Sequence, residues 1–234
     1  MAIDVSPEAL RLGEMKVTGR LVDASNATML ASVTHDASEI MCIYKPIAGE
    51  RPLWDFSDGT LAYREYAAYV ISARCNFGLV PLTVLREGPF GEGAVQLWKE
   101  IDESIDMIEF FQRDNAQLRN MALFDAVINN TDRKIGHILP TTSGEVFGCD
   151  HGVTFHTENK LRTVLWRWAG NAFSEEEHTR LRKVADFINE TSELSKLLTG
   201  HEIEAFGNRV DWYMESGVFP SPSKDWPSVP WPPY

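Results

Sequence analysis

The hydrophobic period of the chain changes partway along, and that change limits the fold more than any other feature. Residues 16–46 alternate apolar and polar side chains at every second position, as strands with one buried face do. The runs VTGRLV (17–22), TMLASVT (28–34) and IMCIYKP (40–46) are separated by the turn-forming stretches DASN and HDAS. A loop follows, AGERPLWDFSDGT (48–60). From Leu61 the period becomes helical: in LAYREYAAYVISARCNFG (61–78), Leu61, Ala68 and Ile71 with the tyrosines give helical spacing, and Gly78 suits the C-terminal stop. Residues 80–101 then read as two strands around a Gly/Pro turn. The first half is therefore expected to be a small sheet with one helix.

The second half reads as mostly helical. SIDMIEFFQR and LRNMALFDAVINN place apolar residues three and four apart. Between residues 131 and 156 two short apolar strands, HIL and VFGC, flank a Thr/Ser/Gly turn. Helical text returns at 174–198, where Ser174 before a run of glutamates resembles an N-cap, and again at 201–216. The last stretch, FPSPSKDWPSVPWPPY, is too rich in proline for helix or sheet.

Composition removes several classes of function. With 34 acidic against 22 basic residues the formal charge is −12, which repels nucleic-acid backbones and anionic lipid surfaces. No apolar run is long enough to span a bilayer, and the first residues lack the apolar core of a secretory signal. The 3 cysteines, Cys42, Cys75 and Cys149, show no paired metal-binding spacing and are read as reduced thiols, so a cytoplasmic location is expected.

The chemistry-bearing residues crowd into 129–156: Asn129, Asn130, Asp132, Arg133, Lys134, His137, Asp150, His151 and His156. A hairpin between two acids returns the chain beside itself and can aim both into one cleft. Phosphoryl transfer needs such a pair, one acid for the attacking hydroxyl and one for metal on the phosphates, together with a cation on the phosphates. Lys45 in IYKP and Glu65 in YRE precede the segment. The order of these parts resembles the phosphatidylinositol 3-/4-kinase-like superfamily, related to the HipA-type protein kinases, and most of all an uncharacterised actinobacterial branch of it. The resemblance spans roughly residues 16–170.

That resemblance implies an α+β, two-lobed, minimal protein-kinase-like fold, with a small antiparallel sheet lobe and a mainly helical lobe. The N-terminal lobe would cover 1–99 and the C-terminal lobe 100–219, with a proline-rich tail at 220–234. It implies an ATP-dependent kinase using Mg²⁺ or Mn²⁺, with an alcohol as acceptor: a protein Ser/Thr, a small alcohol or an inositol-type molecule. Neither nucleic acid nor stable membrane insertion is expected. Asp132 takes the place of the acid that orients the acceptor hydroxyl, within Asp132-Arg133-Lys134-Ile135-Gly136-His137. Asp150, in Asp150-His151-Gly152, and His137 stand at the metal-binding positions. Lys45 matches the strand lysine on the phosphates and Glu65 its helix partner. Ser25 and Asn26 fall in the phosphate-covering turn, while Gln96, Leu97 and Trp98 line the adenine pocket.

The sequence departs from the family pattern at several of these places. His137 stands where an Asn oxygen is usual, and Mg²⁺ prefers hard oxygen donors. A second metal is then missing, or Mn²⁺ is favoured, or His137 touches phosphate. Lys134 replaces a loop histidine, and the turn at 23–27 has no glycine, although its backbone amides and the Ser25 and Asn26 side chains still offer donors. A nucleotide-binding pseudokinase is therefore one alternative. A hydrolase holding metal through Asp132, His137, Asp150, His151 and His156 is another. Arg51 and Lys160 are candidate anion contacts or solvated surface charges, and Trp54, Trp166 and Trp168 are read as packing residues.

Overall fold

The computed structural model describes residues 5–21 and 26–234. It opens with an element that the sequence reading missed, the short helix α1 (Pro7–Leu12). Ser6 caps it by accepting a hydrogen bond from the Ala9 amide, and proline stands at its start. β1 (Glu14–Arg20), β2 (Met29–His35), β3 (Ser38–Pro46), β4 (Thr83–Gly88) and β5 (Gly91–Leu97) form one antiparallel sheet in the order β1-β2-β3-β5-β4. The first strand, expected at 17–22, lies earlier because pairing with β2 begins at Glu14↔Thr34. A register shift between Val17 and Gly19 blurs its alternation.

Strand alternation gives the sheet two different faces. One carries Ala31, Val33, Cys42, Tyr44 and Val95 into a core that α1 covers with Ala9 and Leu10. The other carries Lys45 opposite Ala94 and Ile43 opposite Gln96, towards the rest of the chain.

α2 (Leu61–Arg74) follows the loop after β3 and stops before the expected Gly78, with Cys75 as its C-cap. Gly78, at φ 66°, belongs to the turn beyond, where the amides of Phe77 and Gly78 return to the Ser72 carbonyl. Nine of its side chains are buried, among them Arg64 and Glu65. Ala67, Ala68 and Ile71 join a second core with Leu118, Met121, Leu123 and Phe124 of α4 (Ala116–Ile128). The helix assigned to the sheet half is thus packed into the helical half as well.

The remaining elements are α3 (Met107–Gln112), the hairpin β6 (Ile138–Pro140) and β7 (Val146–Gly148), α5 (Glu175–Glu190) and α6 (Gly200–Ser216). Ser174 caps α5 as expected, in a reciprocal box with Glu177. α3 is shorter than its apolar text, and the helical run after α5 breaks at Thr191. The architecture is α+β and two-lobed, as the sequence implied. No helix among the described residues is long and apolar enough to cross a membrane. The proline-rich tail adopts neither helix nor strand but is tied down: its Ser228 carbonyl accepts from Thr163 N at 3.0 Å and from the Trp166 indole at 2.9 Å.

Candidate active site

α4 ends at Asn129, whose left-handed backbone (φ 54°) turns the chain sharply out of the helix. The Asn129 side chain holds the turn by donating to the His156 and Glu158 carbonyls at 3.0 and 2.7 Å. Asn130, fully buried, donates to Asp125 Oδ1 and accepts from the Asp132 amide, both at 3.0 Å. Asp132 is therefore held by its backbone with its carboxylate left outward. Its nearest cation is Lys134, 3.4 Å from Oδ2.

Arg133 does the structural work of this loop. Its side chain is wholly buried and donates to both oxygens of Asp125, also wholly buried, at 2.9–3.2 Å. It donates further to the carbonyls of His137 (3.2 Å) and Cys149 (2.9 Å). A fourth contact, 2.7 Å to His151 Nε2, requires that nitrogen to be unprotonated. One guanidinium thus joins the loop holding Asp132 to the strand end holding Asp150. Gly148 lies against it, since a Cβ there would sit 3.1 Å from Arg133 Nη2.

Asp150 has a left-handed backbone, φ 60°, an uncommon conformation for a residue other than glycine. Its Oδ1 accepts from Lys45 Nζ at 2.9 Å, and its Oδ2 lies 3.4 Å from His137 Nε2. Lys45 also pairs with Glu65 from α2. The structure therefore brings together Lys45, Glu65, Asp132, His137 and Asp150 from β3, α2, the loop after α4 and the end of β7. Ligand atoms of Asp132, His137 and Asp150 all lie within 4.8 Å of one another, and among the described residues no other His/Cys/Asp/Glu group does so.

The electrostatics follow from this packing. Burial pulls the Lys45 ammonium downward, but Asp150 and Glu65 outweigh it and hold Lys45 above its ordinary value. Lys45 in turn depresses the Asp150 carboxyl far below the usual range. Burial raises Glu65, and it raises Asp132 against the pull of Lys134. Burial lowers His137 to about 4, and the neighbouring Arg133, Lys45 and Lys134 add to the effect of burial over the opposing pull of Asp150. At neutral pH the His137 ring is uncharged and has a lone pair to offer. Two carboxylates and a neutral imidazole fit a divalent cation, with Mn²⁺ better suited to the nitrogen than Mg²⁺.

Other expected residues are placed differently. Gln96 shares the face of Lys45, but its amide donates to Thr83 Oγ1 at 3.0 Å. Leu97 packs into the core on the opposite face. Trp98 follows β5 and is 42% exposed. Asn26 accepts from the Arg51 amide at 2.9 Å, and Ser25 lies outside the described residues. His151 and His156 are not in the cluster: His151 is bound to Arg133 and edge-on to Phe124, and His156 is edge-on to Phe56. The five-ligand set of a hydrolase is thus not assembled. Lys160 is no solvated cation, being 5% exposed, paired with Asp55 and Glu158, and covered by Trp54 and Trp226. Trp54, read as a packing residue, is 82% exposed and packs one ring face against Lys160 Nζ at 4.7 Å. Asp125 is a further residue of this framework, and one acid within MALFDAVI, on an otherwise apolar helix, is the signal of a buried partner.

No protein-family model matches the chain. Among solved structures, the fold is similar to the crystal structure of a Helicobacter pylori proinflammatory kinase, CtkA. The TM-score is 0.50 at 13% identity, over 90% of this chain and 94% of that one. The fold is thus kinase-like. Among curated proteins, Protein Rv2133c of Mycobacterium tuberculosis is 39% identical over 259 aligned residues, covering 94% of this chain and 92% of that protein. The chain belongs to the family of Protein Rv2133c.

Proposed function

We propose that the chain is an ATP-dependent phosphotransferase of the phosphatidylinositol 3-/4-kinase-like type, which moves the γ-phosphoryl group to a hydroxyl acceptor. The observation that carries this reading is the convergence of Lys45, Glu65, Asp132, His137 and Asp150 into one cluster of a kinase-like fold. In this reading residues 1–99 supply the phosphate and adenine contacts, 100–219 the catalytic loop and metal ligands, and 220–234 an appended segment.

Each side chain then has one task. Lys45, fixed by Glu65, presents its ammonium to the nucleotide phosphates. Asp132 accepts the acceptor hydroxyl's hydrogen bond and aligns its oxygen for attack; its raised proton affinity suits a group that receives a proton during transfer. Asp150 and the uncharged His137 would hold Mg²⁺ or Mn²⁺, which supplies positive charge against the phosphates. Lys134, beside Asp132, balances the negative charge shared by the transferred group and the acid.

Incubation with ATP and either Mg²⁺ or Mn²⁺, followed by mass spectrometry for phosphate on the chain and on added alcohols, tests the reading. Transfer abolished by Asp132→Ala and by Asp150→Ala supports it. Neither binding nor consumption of ATP with either metal would sink it. His137 at the metal position favours a second reading, a nucleotide-binding regulatory protein, for which ATP raises Tm with no phosphate transferred.

A further inference from the structure

Far fewer buried charges than exposed ones are left without a counter-charge, because burial without pairing is costly. Arg209 on α6 is one of them. It is 4% exposed, and no carboxylate among the described residues lies within 4.0 Å of it. Its Nε donates to Asn159 Oδ1 at 2.7 Å, and its terminal nitrogens donate to the carbonyls of Val127 (3.4 Å) and His156 (2.8 Å). A guanidinium has five N–H groups. One on each terminal nitrogen therefore has no acceptor among the described residues. Burial draws Arg209 down to about 10, so the cation persists at neutral pH.

Arg209 lines a cavity of about 430 Å³ between α6, the segment after His156 and the tail. Its wall holds Trp166, Trp212 and Trp226, with Asn208, Ser221 and other uncharged residues, but no Asp or Glu. In a chain with 34 acidic residues, the one charged residue of this wall is positive, and Lys160 and Arg162 lie over the Trp226 ring. Trp226 adds a covered indole N–H that also lacks an acceptor among the described residues. The volume is that of a small-molecule site, and the aromatic walls suit a flat ring.

We propose that this cavity binds a small organic oxyanion, a carboxylate or phosphate monoester borne on a flat ring, with Arg209 as its counter-charge and the tryptophans against the ring. The site is separate from the candidate active site, since Lys45, Asp132 and Asp150 are absent from its wall. It shares Asn129 with the turn that leads into Asp132, and its occupant would rest on the segment that Asn129 holds.

The test is a titration of the full chain with phenyl phosphate, benzoate, inorganic phosphate and uncharged phenol, read by tryptophan fluorescence and by Tm. A charge-assisted contact predicts that one of the ring anions binds at least about tenfold more tightly than phenol. Inorganic phosphate, lacking the ring, should bind more weakly than phenyl phosphate. The preference must survive in Lys45→Met, which removes the phosphate contact proposed for the active-site cluster. It should disappear in Arg209→Met, while Trp212→Ala weakens binding about fivefold or more. Trp212 is 52% exposed, so its loss leaves folding intact and tests the pocket even if Arg209→Met fails to fold. Three outcomes overturn the proposal: equal affinity for phenol and both ring anions, anion binding lost in Lys45→Met but kept in Trp212→Ala, or no binding of either ring anion at about 10 mM. Any of them leaves Arg209 as a structural tie between α6 and the carbonyls it meets.

Discussion

Replacing Asp125 by Asn keeps the size of the side chain and removes one charge from a pair that has no access to water. Both partners are wholly buried, so the Arg133 charge that remains cannot be rescued by solvent. Removing one member of such a pair costs about 3–5 kcal/mol, whereas replacing both by apolar groups is often far milder. At about 2–4 °C per kcal/mol for a chain of this size, the expected fall in Tm is roughly 6–20 °C. Arg133→Met should cost at least as much. It strands the Asp125 carboxylate and also takes the donor from the His137 and Cys149 carbonyls and from His151. The double variant should then lose less than the sum of the two, with a coupling of about 1.5 kcal/mol or more. Urea unfolding at pH 7, followed by the fluorescence of the 7 tryptophans, gives all four corners of the cycle. If Asp125→Asn falls within about 1 kcal/mol of the parent, or the two changes simply add, the pair is not the brace described here.

Stability should also fall between about pH 6.5 and 4, because the folded state keeps His137 uncharged to about 4 while the unfolded chain takes up the proton earlier. The loss is on the order of 3 kcal/mol, His151 contributes in the same direction, and His137→Asn in metal-free buffer should flatten the profile. If parent and variant show the same slope, burial does not suppress the charge. Gly148→Ala pushes a methyl group to 3.1 Å from Arg133 Nη2 and should cost about 1–3 kcal/mol by thermal unfolding; an unchanged Tm would refute the close fit. Glu202→Gln should weaken the buried tie from Arg64 on α2 to α6 by about 1–3 kcal/mol. ATP affinity should drop with it, as Glu65 on the same helix loosens from Lys45; normal affinity would separate α2 from the site.

The sequence made much of this arrangement readable because the site residues stand at abrupt changes of pattern. Lys45 ends a run of period two, Glu65 begins a helix, and Asp132 and Asp150 bracket a short hairpin. The exceptions share one cause, namely partners distant along the chain. Asp125 carries no local sign of its role, because its partner Arg133 lies beyond the end of α4. Lys160 looked exposed because Asp55 and both of its tryptophans come from segments with no local signal. The resemblance puts Leu97 on the adenine side, whereas strand pairing decides which face a side chain occupies, and here it turns Leu97 away. α1 went unread because a helix this short has too few positions to establish a period.

The helix α2 makes the two lobes depend on each other. Ala67, Ala68 and Ile71 share one core with Leu118, Met121, Leu123 and Phe124 of α4, while Lys45 on the sheet holds the same helix through Glu65. Cut free, the first half would present an apolar helix face to water and would tend to aggregate. The natural cooperative unit is therefore the whole chain, and unfolding should proceed as one transition, with no stable fragment at the boundary after β5.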